Sequence, residues 1–118
     1  MVQRLSKAAL QKFMSGKVKE PVSVAVKFYG NDCHYCHALK TEYESLSEEY
    51  SDVTFYAFNV ADYPAVTHIL QFQGVPTICF MKVGSNQPRI KIMPEPADPN
   101  RVTWYTTEDI KSFIDKEK

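Results

Sequence analysis

The sequence predicts an α/β protein with a central mixed β-sheet flanked by helices on both faces. Segments with strand alternation are separated by segments with helical periodicity, and such strand–helix–strand connections join parallel strands. The last two strand segments are separated only by a turn, which predicts an antiparallel hairpin. The 118 residues are 44% hydrophobic and 24% charged, so we expect one domain spanning residues 1–118.

The first predicted element is a helix over Leu5–Ser15, bounded by two capping signals. Ser6 is a favoured N-cap residue, and Gly16 is suited to the left-handed conformation that ends many helices. The buried stripe is predicted to consist of Leu5, Ala8, Ala9 and Phe13.

The next two elements are a strand over Val22–Tyr29 and a long helix over Cys33–Tyr50. The strand alternates, and few of its side chains are polar on either face, which predicts a strand covered on both sides. Its two faces are Val22, Val24, Val26 and Phe28, and Ser23, Ala25, Lys27 and Tyr29. The inward stripe of the helix is Cys36, Leu39, Tyr43, Leu46 and Tyr50.

The remaining elements alternate in the same way. We predict a strand over Val53–Val60, a helix from Tyr63 or Pro64 to Gln71, and a strand over Val75–Val83. The predicted end of the chain is a turn at Gly84-Ser85-Asn86, a strand over Arg89–Met93, a proline-rich loop over Pro94–Pro99, and a helix opened by Thr107 and Glu108 with Ile110, Phe113 and Ile114 buried.

The charge balance limits the possible partners. Lysine and arginine number 14, aspartate and glutamate also 14, and the basic residues form no block. We therefore expect no binding to nucleic acid or to membranes, and a monomer in the cytoplasm. The basic first twenty residues contain no apolar leader stretch, which supports the cytoplasmic expectation.

The strongest chemical signal is Cys33-His34-Tyr35-Cys36, between a predicted strand and a predicted helix. The free backbone N–H groups at a helix N-terminus stabilise a Cys33 thiolate, and Cys36 lies one turn further on. A protonated His34 would favour the thiolate, whereas Asp32 would oppose it. The alternative is a pair of cysteines that only pack in the interior.

This strand, motif and helix resemble the thioredoxin superfamily, and Gly74-Val75-Pro76-Thr77 resembles the cis-proline segment of that family. The resemblance implies a thioredoxin fold and a dithiol oxidoreductase active in electron transport. Cys33 would attack, Cys36 would resolve, Pro76 would be cis, and the Val75 backbone would pair with an extended protein substrate. No cofactor beyond the dithiol would be needed, and a reductase or glutathione would recycle it.

The sequence also departs from the thioredoxin pattern. Lys27 stands where thioredoxins carry a buried aspartate, and Ala57 stands where they carry its lysine partner. A cation near the dithiol stabilises the thiolate and therefore the reduced form. This predicts a potential above that of thioredoxin, between about −230 and −180 mV. The alternative is that the Lys27 amine extends to solvent.

Two alternatives place a ligand at the motif. His37 completes the Cys-x-x-Cys-His string of haem c attachment, which would need an axial ligand such as Met81 or Met93. A zinc site would combine Cys33, Cys36, His37 and His68. The predicted strands and the missing apolar leader argue against haem c, and no second Cys-x-x-Cys supports zinc, so we expect no metal.

Other residues give weaker signals. We expect Tyr29 and Tyr35 to form an aromatic rim around Cys33, and Cys79 to be a buried core thiol. Trp104 and Tyr105 lie in an insertion over 94–105 and either anchor the core or border a substrate groove. No cationic clamp for glutathione is evident. A binding module that uses the same groove without turnover remains an alternative function.

Overall fold

A computed structural model describes residues 1–84 and 87–118, and these contain five strands and four α-helices. None of the described helices is long and apolar enough to cross a membrane. The elements in order are β1 (Val2–Arg4), α1 (Lys7–Ser15), β2 (Val22–Tyr29), α2 (His34–Ser47), β3 (Thr54–Asn59), a 3-10 turn (Val60–Asp62), α3 (Val66–Leu70), β4 (Thr77–Val83), β5 (Arg89–Ile92) and α4 (Thr107–Glu117).

The strands form one mixed sheet in the order β1-β3-β2-β4-β5. β3 is parallel to both β1 and β2, whereas β4 is antiparallel to β2 and to β5. The predicted mixed sheet and its C-terminal antiparallel pair are therefore confirmed. The register places Lys27 opposite Ala57 in β3 and opposite Ile78 in β4.

Helices cover both faces of the sheet, as the sequence predicts. α2 and α4 enclose one core, in which Leu39 and Ile110 pack with Ala25 of β2. α1 and α3 enclose the other core, in which Leu10 and Val66 pack with the valines of β2. Side chains of β2 therefore enter both cores, which confirms a strand that is covered on both sides.

β1 was not predicted from the sequence. Val2–Arg4 pairs with Phe55–Ala57, so the expected order, which began with a helix, lacks one strand. Three residues, two of them polar, are too few to show alternation. Tertiary contacts hold β1 in place instead. The strand pairs with β3, and its Val2 N–H also donates a 2.8 Å hydrogen bond to the Glu44 carboxylate of α2.

The predicted caps of α1 are confirmed, and its buried stripe is confirmed in part, because Leu5 is buried and Ala9 and Phe13 pack against the core. The Ser6 hydroxyl accepts the Ala9 N–H, and Gly16 ends the helix at φ 76°. The helix begins at Lys7 rather than Leu5, and Ala8 is exposed while Leu10 is fully buried. Leu10 follows the N-cap by four residues, so the helix turns it toward the sheet with Leu5.

Five other predicted elements are longer than the observed ones, β3 and β5 by only one or two residues. α2 ends at Ser47, although its stripe is buried as far as Tyr50. α3 has only five residues because the 3-10 turn capped by Asn59 and the Pro64 turn occupy the preceding residues. β4 starts at Thr77, after Pro76. The predicted turn includes Ser85 and Asn86, which lie outside the described residues.

Candidate active site

Cys33 and Cys36 form a disulfide at the start of α2, with a Cα–Cα distance of 5.2 Å. Cys33 is the N-cap of the helix, and its sulfur accepts the Cys36 N–H at 3.0 Å. Cys33 is half-buried whereas Cys36 is only 4% exposed. The two sulfurs therefore differ in accessibility, and an incoming group reaches Cys33 more easily.

The turn before the disulfide is anchored to the end of β3. The side-chain amide of Asn59 donates a 2.7 Å hydrogen bond to the side-chain carbonyl of Asn31. The backbone N–H of Cys33 donates to the backbone carbonyl of Gly30 at 3.4 Å. A side chain at Gly30 would meet Val75 at 3.4 Å, which is close contact. The sequence did not indicate this role for Asn59, because it lies 28 residues from Asn31 and no local pattern joins them.

Lys27 is a buried cation behind the disulfide. Its side chain is 4% exposed, and its Nζ lies 5.2 Å from the centroid of the Tyr43 ring. The stem of Lys27 therefore packs inside the fold, and the two interpretations of its amine stay predictions. Burial, and then the nearby Lys40 charge, lower the Lys27 pKa from 10.5 to about 8. Among the described residues, no carboxylate lies within 4 Å of this ammonium.

A cavity of about 830 Å³ opens beside the disulfide, between α2 and the ends of β1, β2 and β3. Both cysteines line it, together with Lys27, Tyr29 and Lys40. Its volume lies within the range of small-ligand sites. The sequence did not indicate this cavity, because β1 forms part of its wall.

A second groove, of about 670 Å³, borders the Val75–Pro76 segment. The Val75–Pro76 peptide bond is cis, and the Thr77 hydroxyl donates to the Gly74 carbonyl at 2.6 Å. Gly74 and Val75 line this groove with Tyr35, whose ring lies 5.5 Å from that of Trp104. Tyr35 and Tyr29 therefore line different depressions, and the aromatic rim expected around Cys33 stays a prediction.

Both earlier interpretations of the insertion over 94–105 are partly correct. Tyr105 is 1% exposed and belongs to the core, whereas Trp104 is half-buried and also borders the groove. Trp104 has φ 69° and is paired with Asn100 through two 3.0 Å backbone hydrogen bonds. The Asn100 side chain accepts two further N–H groups, which orders this loop.

The ligand-binding alternatives find no structural support. Met81 and Met93 are buried in the two separate cores, whereas His37 is exposed, so neither methionine is placed as an axial haem ligand. His68 is exposed on α3, and no three metal-binding side chains among the described residues could hold an ion.

Two further residues singled out in the sequence lie in different surroundings. His34 is exposed to solvent. Cys79 is a buried core thiol, and burial raises its pKa.

The fold and the disulfide at its strand–helix junction define a thioredoxin-like protein. A model of the thioredoxin family matches residues 2–115, and the chain belongs to that family. It is 34% identical over 97 residues, 82% of this chain, to a Schizosaccharomyces pombe protein named as a protein disulfide-isomerase. It is 30% identical over 67 residues, 57% of this chain, to Saccharomyces cerevisiae thioredoxin-2.

The matches cover 18% of the length of the disulfide-isomerase relative and 64% of that of thioredoxin-2, so this chain spans less than two thirds of either relative. Among solved structures, chloroplastic thioredoxin z superposes with a TM-score of 0.67 at 19% identity, covering 98% of this chain and 92% of that one. The J-Trx1 fragment of ERdj5 superposes with a TM-score of 0.66 at 14% identity, covering 98% and 49%. These structures support the thioredoxin fold, and the family together with the cysteine pair supports thiol–disulfide oxidoreductase chemistry.

Proposed function

We propose that this chain exchanges disulfides with other proteins through Cys33 and Cys36. The observation that carries the proposal is the disulfide at the N-terminus of α2, with Cys33 more accessible than Cys36. The relatives named thioredoxin and protein disulfide-isomerase support the same chemistry.

In the proposed reaction the Cys33 thiolate attacks one sulfur of a substrate disulfide and releases the other as a thiolate, which takes up a proton. Cys36 then loses its proton and attacks the Cys33 sulfur, which closes the Cys33–Cys36 disulfide and releases the second substrate thiol. The substrate gains two electrons and two protons, and this chain loses them. The Cys36 N–H, 3.0 Å from the Cys33 sulfur, favours the attacking thiolate.

The groove beside Cys33 is the proposed substrate site. Gly74, Val75 and Pro76 form one wall, and Tyr35 lies with Trp104 on another. Val75 precedes β4, and among the described backbone hydrogen bonds none uses its N–H or carbonyl. An extended substrate segment pairing with Val75 would satisfy these groups.

Lys27 and His34 are the proposed tuning residues. Protonated Lys27 shares a cavity with both sulfurs, so it stabilises the thiolate and makes the disulfide more oxidising. We expect a potential between about −230 and −180 mV, and Lys27→Met to lower it. The difference between the two proteins should shrink above pH 8, where Lys27 loses its proton. Lys91→Met, on exposed β5, is the matched control for charge.

The first experiment is redox equilibration in glutathione buffers, with alkylation of free thiols and intact-mass counting. A two-thiol transition that spares Cys79 supports the proposal and gives the potential. A value at or below that of thioredoxin, about −270 mV, contradicts the proposed tuning. No two-thiol transition contradicts the oxidoreductase function itself.

The second candidate function is binding without turnover. It is favoured by the groove beside the cis-proline, because binding a partner there would not require a second thiol. The double variant Cys33→Ser, Cys36→Ser separates the two candidates. Loss of the effect on a partner protein indicates chemistry, whereas retention indicates docking.

The remaining proposals concern partners and location. The dithiol needs no further cofactor, and a reductase or glutathione would recycle it in a monomeric protein that binds neither nucleic acid nor membrane. The charge pattern favours the cytoplasm, whereas the disulfide-isomerase relative favours an oxidising compartment such as the endoplasmic reticulum. Localisation of the full-length protein decides between them and sets the direction of flux.

A further inference from the structure

Two lysines line the cavity beside the disulfide, and no described carboxylate pairs with either. Lys27 is buried and Lys40 is exposed on the first half of α2, and neither is within 4 Å of a carboxylate among the described residues. The Lys27 Nζ lies 5.2 Å from the centroid of the Tyr43 ring, which is a cation–π partner but carries no negative charge. The cavity therefore holds two cations and, among the described residues, no anion paired with either.

The other charged groups of the wall are already engaged. Arg4 is paired with Asp62 at 2.9 Å, and the Glu44 carboxylate accepts the Val2 N–H at 2.8 Å. Counting Lys27, Lys40 and Glu44, the wall carries one unbalanced positive charge when both lysines are protonated. The other ionisable groups of the wall are His37, Tyr29, Tyr43 and the two cysteines.

Part of the remaining wall is apolar, and the cavity is large enough for a small molecule. Val2, Ala57 and the Tyr43 ring form the apolar part, the uncharged polar residues of the wall are Gln3, Asn31, Thr41 and Ser45, and the volume is about 830 Å³. One unbalanced positive charge beside an apolar patch is complementary to a small organic acid with a single carboxylate.

We propose that this cavity binds a small organic monocarboxylate, with its carboxylate between Lys27 and Lys40 and its apolar body against Val2 and Ala57, and that it binds the disulfide form in preference to the dithiol form. The preference rests on the proposed function. A thiolate formed on reduction shares the cavity with Lys27, so it replaces the carboxylate as the anion and repels it. A ligand that binds the disulfide form more tightly shifts the equilibrium toward that form.

Benzoate is the probe, and benzamide is its neutral match. Calorimetric titration of the oxidised protein at constant ionic strength should show saturable binding of benzoate and none of benzamide. Lys27→Met and Lys40→Ala should each weaken benzoate binding at least about tenfold, because each removes an ammonium that pairs with the carboxylate. Lys40 is exposed, so its replacement should not disturb the fold. Lys91→Met, outside the cavity, should bind as the wild type does.

The redox coupling is measured separately, with 2-mercaptoethanol and its disulfide because glutathione is itself an anion. Protein disulfide and two molecules of 2-mercaptoethanol give protein dithiol and one molecule of the mercaptoethanol disulfide. If the dithiol form binds benzoate tenfold more weakly, saturating benzoate lowers the potential by about 30 mV. Lys27→Met should abolish this shift.

Each outcome supports or overturns either the binding site or its coupling to the redox state of the cysteines. Absence of saturable binding, equal binding of benzamide, or full affinity in both cavity variants overturns the site. Equal benzoate affinity of the two redox forms overturns the coupling. Binding to the oxidised protein requires no turnover, so failure of the oxidoreductase proposal, seen as no two-thiol transition, is distinguishable from failure of this one.

Discussion

At the scale of single residues, the buried charge of Lys27 lowers the free energy of unfolding. Its pKa is lowered from 10.5 to about 8, chiefly by burial. The folded protein therefore holds this proton less tightly than the unfolded chain does. Between about pH 8 and 10.5 the unfolded state binds more protons, so the Lys27 contribution to stability rises with pH in that window. Below pH 8 the full penalty applies.

Lys27→Met should therefore stabilise the oxidised protein at pH 7. The lowered pKa corresponds to about 3 kcal/mol, and methionine fills a similar volume without a charge. We expect an increase of up to that size in the free energy of unfolding by urea, falling toward zero by pH 10.5. Lys91→Met should change it little. A Lys27→Met protein that is less stable at pH 7 would show that the ammonium has a favourable partner in the fold.

The sequence singled out the candidate site residues better than their surroundings. Cys33, Cys36 and Pro76 belong to short contiguous motifs, and the structure contains a Cys33–Cys36 disulfide and a cis Val75–Pro76 bond. The partners of Lys27 could not be predicted in the same way. Tyr43 and Lys40 reach its cavity from a helix whose rotation about its own axis is set by tertiary packing.

At the scale of elements, capping residues decide several helix ends. α4 begins with a capping box, in which the Thr106 hydroxyl accepts the Asp109 N–H at 3.1 Å and the Asp109 carboxylate accepts the Thr106 N–H at 3.3 Å. Because Ile110 and Ile114 of this helix are fully buried, fraying of its first turn would expose part of the core under α2.

Thr106→Ala should lower the free energy of unfolding by about 1 kcal/mol, the usual cost of losing such a cap. Thr107→Ala is the matched control, because its hydroxyl makes only an exposed 3.3 Å hydrogen bond to Glu42. Urea titration followed by far-ultraviolet circular dichroism measures both. Equal losses in the two variants would contradict a specific role for the box.

The elements that were predicted correctly are those with many alternating or periodic residues. β2 agrees at both ends because eight residues show its pattern. β1 was not predicted, and α3 is shorter than expected, because three or five residues carry too little pattern. Their stability comes from long-range contacts, such as the ladder between β1 and β3.

At the scale of the whole molecule, two depressions that share no lining residue lie near the start of α2, and the disulfide lines one of them. The groove at Val75–Pro76 is bordered by β4, β5 and the insertion that carries Trp104. The cavity at Lys27 is bordered by α2 and by β1, β2 and β3. The sheet order separates them, because β4 and β5 lie on one side of β2 while β3 and β1 lie on the other. The proposed protein substrate and the proposed small anion would therefore occupy separate sites.

Trp104 is the only tryptophan in the sequence, so its fluorescence reports on the groove alone. In Cys36→Ser protein, an extended peptide held as a mixed disulfide on Cys33 should cover this half-buried ring and reduce its quenching by acrylamide. The adduct of 2-mercaptoethanol at Cys33 carries no peptide to cover the groove and should leave quenching unchanged. Benzoate added to the oxidised wild-type protein should also leave it unchanged, since Trp104 does not line the cavity. Equal quenching of the peptide and mercaptoethanol adducts would place the bound peptide away from Trp104, and the ring would then serve only to anchor the insertion on the core.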